Sequence, residues 1–185
     1  MIIIAKLILL TLGSGVILWV SRRSLRDSRS HGFYRFFAWE SILILIVLNL
    51  GVWFQDPLAY HQIISWFLLV ISLFLVYQGM RLLRERGVPD PEREGSGLVG
   101  LEKTTQLVTS GVYAYIRHPL YSSLLFLAWG AFLKQPSWTG VCLAGIATFF
   151  LTLTARIEEV ENMRYFGNAY RNYIRRTKMF IPFLF

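Results

Sequence analysis

Five apolar runs, separated by segments that hold nearly all of the charge, constrain this chain more than any other feature of its sequence. They lie at residues 2–20, 36–54, 63–83, 120–133 and 138–153. A bilayer core requires about 20 helical residues to cross. No water is present there to satisfy an open backbone, so helices are the expected solution. Only 16% of the residues are charged, against roughly 25% in soluble domains. The pattern predicts an all-α integral membrane protein of about five transmembrane helices. At 185 residues it reads as a single membrane domain. Residues 1–85 supply three N-terminal spans, and residues 86–185 supply a core that carries the chemistry. The fourth run is short and meets the fifth at Lys134-Gln135-Pro136-Ser137, so these two form a helical hairpin. The first run is read as a retained helix, because its arginines follow the apolar stretch rather than precede it.

The distribution of Lys and Arg predicts the orientation. With five spans, one side collects 17 of the 19 basic residues and the other keeps Lys6 and Lys134. The positive-inside rule then places the N-terminus outside and the C-terminus in the cytoplasm. The net charge of +8 sits beside apolar spans. Membrane lipids, through anionic headgroups, are therefore the expected partner rather than nucleic acid. The one cysteine, Cys142, forms no disulfide within the chain and is read as a small packing residue. No Cys/His cluster suggests a metal. Residues 84–100 read as a loop rich in Gly, Pro and charge, and residues 101–119 as a more ordered stretch.

Two segments on the predicted cytoplasmic side concentrate polar chemistry. The first is TSGVYAYIRHPLY, residues 109–121. Gly111, Tyr113, Tyr115, Arg117, His118 and Tyr121 put much hydrogen-bonding capacity at membrane depth, where unsatisfied polar groups are costly. A helix is expected to start inside Arg117-His118-Pro119, because proline suits a first turn. The second segment is residues 156–183, where Arg156, Glu158, Glu159 and Glu161 crowd within two turns. Glu161 and Arg164 have the spacing of an ordinary surface pair. Glu158 and Glu159 lie closest to the hairpin and are the functional candidates. Gly167 is the expected cap after Phe166, and Tyr170 and Tyr173 share one helix face. His31 and His61 are expected in exposed loops. Glu40 has two readings, a partner for a loop arginine or a border of the substrate entrance.

Both segments resemble the signatures of the isoprenylcysteine carboxyl methyltransferase family and its prokaryotic relatives. The first block matches TSGVYAYIRHPLY. The second matches Glu158-Glu159, Phe166-Gly167, Tyr170, Tyr173 and Pro182 in order. The resemblance covers roughly the last 75 residues. It implies S-adenosylmethionine as methyl donor in a cytosol-facing pocket. It implies cofactor contacts from Val108, Gly111, Tyr113, His118, Pro119, Tyr121, Glu158, Glu159 and Tyr170, and catalytic roles for Glu158, Arg156 and Arg117. Two positions depart from the family pattern. Ser123 stands where a small glycine is usual, and Thr154 stands where an arginine is frequent, leaving Arg156 as the nearest cation.

The resulting expectation is methyl transfer to a lipophilic or lipidated acceptor that enters from the bilayer. A carboxylate acceptor is already nucleophilic and needs a cation to hold it, such as Arg117 or Arg156. An amine or thiol needs a base, for which Glu158 or Glu159 could serve. A phospholipid amine N-methyltransferase and a small-thiol methyltransferase are the alternatives among enzymes. A scaffold or carrier is the alternative outside them. Transport is disfavoured because only Glu40 and Asn49 are strongly polar within spans.

Overall fold

The computed structural model describes residues 2–88 and 104–184. Most of the loop predicted at residues 84–100, with Arg93 and Lys103, lies outside the described residues. Among the described residues there are six α-helices and no strand: α1 (Ile2–Ser21), α2 (His31–Asn49), α3 (Tyr60–Arg86), α4 (Pro119–Phe132), α5 (Trp138–Phe166) and α6 (Asn168–Arg176). Four of them, α1, α2, α3 and α5, are long and apolar enough to cross a membrane. The all-α membrane class expected from the sequence is therefore borne out. The fourth run is a helix of 14 residues, about 21 Å long at 1.5 Å per residue. That falls short of a hydrocarbon core of about 30 Å.

Local chemistry sets the helix ends. Ser30 caps α2 by accepting a hydrogen bond from the Phe33 amide, and Ser137 caps α5 through Gly140. These short polar side chains satisfy amides that a first helical turn leaves open. Pro119 begins α4 as expected, with His118 at its cap position. Helix α5 does not end with its apolar run. It continues unbroken to Phe166, which places Glu158 and Glu159 on a rigid extension of a membrane span. Gly167 stops it with φ of +59°, a conformation that favours glycine.

The helices associate through small residues and buried hydrogen bonds. Ala128 and Ala131 of α4, Ala144 and Ala147 of α5, and Ile42 and Leu45 of α2 form one cluster. A second joins Ala38, Tyr121, Leu125, Leu151, Ala155 and Phe180. In lipid, close backbone approach and interhelical hydrogen bonds replace the hydrophobic effect as the source of association. Ser65 donates to the Gly130 carbonyl at 2.7 Å and Ser72 to that of Ser123 at 2.7 Å, tying α3 to α4. Asn49 donates to the Ala131 carbonyl at 2.8 Å, tying α2 to α4. Helix α1 lies at the edge, held to α2 by Lys6 on the Leu48 carbonyl and by Ser14 on Glu40. Glu40 is thus bound by a serine of the neighbouring helix rather than by a loop arginine.

Several sequence expectations are corrected here. His31 is no exposed loop residue: it opens α2, is fully buried, and places Nδ1 2.7 Å from Glu161 Oε2. Glu161 therefore turns to α2 instead of forming the expected pair with Arg164. His61 lies in the first turn of α3, with Nδ1 2.9 Å from the Leu133 carbonyl. Arg35 belongs to α2 and is buried, with its guanidinium over the Trp39 ring. Cys142 is exposed on the outer face of α5 rather than packed inside. Lys134 is buried in the hairpin turn. Its ammonium sits 3.0 Å from Gln62 Oε1 and 3.3 Å from the centre of the Trp66 ring, an attractive cation–π position. A local charge count carries no information about such long-range partners.

Candidate active site

Chain reversal near the ends of α3 and α5 builds the site. Gly111 turns the chain at φ of +61°, and a Cβ there would lie 2.7 Å from Leu82 Cδ1. Only glycine meets both demands. The following 3₁₀ turn, Gly111–Ala114, buries Tyr113. Residues 115–118 then run beside the segment after α6. The Arg117 amide donates to Lys178, the His118 amide to Met179, and the Lys178 amide to Tyr115. This isolated backbone bridge fixes α6 against the start of α4. The Tyr173 hydroxyl closes the same junction by donating to the Tyr113 carbonyl at 2.6 Å.

The charged centre lies between α4 and α5. Arg117 Nε is 2.6 Å from Glu159 Oε1, with both side chains largely buried. The same guanidinium donates to the carbonyls of Ile174 and Thr177, beyond the bridge. His118 Nε2 lies 3.3 Å from Glu159 Oε1, and Nδ1 lies 3.8 Å from Glu158 Oε2. The His118 ring stacks on Tyr121 with centroids 5.5 Å apart. Glu159 is thus held from two sides. Glu158 has looser contacts, the nearest being Asn162 Nδ2 at 3.4 Å. It faces a partly open pocket of about 70 Å³ whose aromatic wall is made by Tyr113, Phe166, Tyr170 and Tyr173.

Of the residues expected at a site, Val108, Tyr113, Arg117, His118, Pro119, Tyr121, Glu158 and Tyr170 line this pocket. Glu159 stands behind the wall, engaged by Arg117 and His118. Gly111 shapes the turn without lining the pocket. Arg156 is exposed on the opposite side of α5 and does not join the group, because two residues along a helix rotate it away from Glu158. Sequence reasoning missed Leu83, Thr104, Leu107, Leu120, Asn162, Phe166 and Tyr173 as lining residues. The spacing Glu158, Asn162, Phe166 was available as a signal, since residues four apart share a helix face. Nothing in sequence pointed to Leu83 or Thr104.

Burial pushes the Tyr170 phenol well above the usual tyrosine range, and the nearby carboxylates Glu158 and Glu159 add to it. Burial raises Tyr173 as well, against a smaller opposing effect of Arg117. Both phenols are therefore neutral donors at any physiological pH. Their folded values exceed the unfolded value of about 10, so their contribution to stability is complete below that pH. It is lost as pH rises further, because the unfolded chain then releases protons that the fold retains. An ultraviolet titration should show Tyr170 and Tyr173 staying protonated at about pH 11 until the protein unfolds. Full phenolate absorbance in the folded protein at that pH would contradict the arrangement.

The fold and site define a helical membrane protein with a carboxylate-bearing, aromatic-walled pocket between the starts of α4 and α6 and the C-terminal half of α5. The phospholipid methyltransferase family model matches residues 60–169, and this chain belongs to that family. The match takes in α3, the hairpin, the first site segment and the second segment as far as residue 169. The chain is similar to a methanethiol S-methyltransferase of Crocosphaera subtropica, at 27% identity over 74% of this chain and 53% of the relative. It is similar to the protein-S-isoprenylcysteine O-methyltransferase of Schizosaccharomyces pombe, at 26% identity over 63% and 54%. It is also similar to the mouse enzyme of that name, at 35% over 44% and 29%. The resemblance drawn from the two sequence blocks is thus borne out. The chain spans about half or less of the length of the curated relatives it matches. No solved structure matches it.

Proposed function

We propose that this protein is a membrane methyltransferase that uses S-adenosylmethionine and methylates a lipophilic acceptor, a carboxylate of the isoprenylcysteine kind. One observation carries the reading: Glu158 faces an aromatic-walled pocket, while its neighbour Glu159 is bound by Arg117 and His118. When bound, S-adenosylmethionine supplies an electrophilic methyl group on a cationic sulfonium. The residues present fit such a molecule. Glu158 offers the negative charge that a sulfonium or an α-ammonium group requires. Tyr113, Tyr170 and Tyr173 offer aromatic faces, which attract cations and stack on a planar base. Arg117 holds the wall through Nε on Glu159 and Nη1 on two carbonyls, and it also lines the pocket. The pocket contributes alignment of donor and acceptor and exclusion of water.

The orientation proposed from the basic residues puts this pocket on the cytoplasmic face, with five spans and the N-terminus outside. The donor then arrives from water and the acceptor from the bilayer. Two observations favour a second reading, a small thiol acceptor. The Nε and Nη1 donors of Arg117 are engaged, which leaves only Nη2 for an acceptor carboxylate. Glu158 and His118 are placed to take a thiol proton. The test is calorimetric titration of S-adenosylmethionine into the detergent-solubilised protein, followed by transfer of labelled methyl to an S-prenylated cysteine or to methanethiol. Micromolar binding with transfer to one of them is the expected result. A folded protein that binds no S-adenosylmethionine would exclude the methyltransferase reading and favour the scaffold or carrier.

A further inference from the structure

Outside the candidate active site, two cavities of opposite character share an edge. The first is an apolar groove of about 480 Å³ on the outer side of α3, formed by Phe74, Leu75, Val112 and Ile116. Phe74 is half exposed, one to two turns membrane-ward of Arg81, so the groove opens where lipid chains lie. The second is a shelf of about 240 Å³ at the end of α6, carrying Arg175, Arg176 and Lys178. All three cations are exposed, and among the described residues no carboxylate pairs with them. Tyr115 and Pro182 line both cavities and join them. Neither cavity shares a lining residue with the pocket that holds Glu158. The turn that buries Tyr113 stands between them.

We infer that this composite surface is a binding site for one anionic phospholipid, with an acyl chain in the groove and the phosphate on the basic shelf. The groove alone would accept any hydrocarbon. The shelf alone would accept any small anion. Their junction at Tyr115, an aromatic residue at the level where interfacial tyrosines sit, selects a molecule that is both. Three unpaired cations at one headgroup give the site its preference for negative charge. The lipid is a resident of the protein's surface and not the methyl acceptor, because the site is walled off from Glu158. It brings the segment 111–116, α3 and α6 together through one ligand, and so braces the outer wall of the candidate active site.

The full chain, purified in a neutral detergent, is titrated with phosphatidylglycerol or phosphatidylcholine, and retained lipid is read by native mass spectrometry. One phosphatidylglycerol per chain is expected, held far more tightly than phosphatidylcholine. In the triple variant R175Q/R176Q/K178Q its affinity should fall about 100-fold, at roughly tenfold or less per charge removed. Gln78→Trp, which fills the groove from α3, should weaken retention without touching a cation. Unchanged melting of both variants shows that their folds persist. Equal retention of the two lipids, or parent-like affinity in the triple variant, overturns the proposal. So does displacement by millimolar inorganic phosphate, which would make the ligand a free anion. Recovery of the lipid with an added methyl group would make it an acceptor and overturn the proposal as well.

Discussion

Arg117→Ala is expected to lower the stability of the folded protein by about 3–5 kcal/mol, the usual effect of removing one member of a buried ion pair. The magnitude follows from what remains behind. Glu159 would keep its carboxylate in a nearly closed site with only His118 at 3.3 Å. The carbonyls of Ile174 and Thr177 would also lose their donor. The bridge between residues 115–118 and the segment after α6 would be left to its backbone hydrogen bonds. Thermal unfolding in detergent should show a midpoint lower by roughly 10 °C, given a few degrees per kcal/mol for a chain of this size. Arg117→Met combined with Glu159→Gln should recover more than half of the loss, because no unpaired charge is then buried. A single variant within about 1 kcal/mol of the parent would show that Arg117 does not carry this junction.

Glu158→Gln should separate binding from folding. Glu158 makes only a 3.4 Å contact with Asn162 and a 3.8 Å approach to His118, so its loss leaves nothing charged and stranded. Stability should change by less than about 1 kcal/mol. Affinity for S-adenosylmethionine should fall by roughly 30- to 1000-fold, since removing one partner of a desolvated charge pair costs about 2–4 kcal/mol. Glu159→Gln, one residue on, should show the reverse order of effects. It releases Arg117, so melting falls more than affinity does. Calorimetry and thermal unfolding on the two variants decide the matter. Parent-like cofactor affinity in a well-folded Glu158→Gln protein would remove this residue from the proposed cofactor site.

The contrast between these adjacent glutamates marks how far sequence reasoning reached. Their pairing near the hairpin was legible, as was the block from Tyr113 to Tyr121. The family resemblance singles out Glu158 as the one facing the reacting centre, but what holds Glu159 aside is Arg117, 42 positions earlier, and that pairing is not legible in the sequence. Arg156 was chosen for proximity along the chain, yet helix rotation carries it to the other side of α5. Asn162 and Phe166 could have been found from the four-residue spacing that begins at Glu158. Tyr173 entered as a face-sharing neighbour of Tyr170, and its hydrogen bond to the Tyr113 carbonyl appears only in three dimensions.

By itself, the sequence determined that this chain is a bundle of membrane helices, where each apolar run lies, and where α4 begins and α5 ends. Those properties follow from hydropathy, proline and glycine, which act within a few residues of one another. Tertiary structure alone decided the partners of the buried polar groups: His31 with Glu161, Lys134 with Trp66 and Gln62, and Arg117 with Glu159. Each is a side chain that must be satisfied away from water, and the group that satisfies it is set by helix packing rather than by distance along the chain.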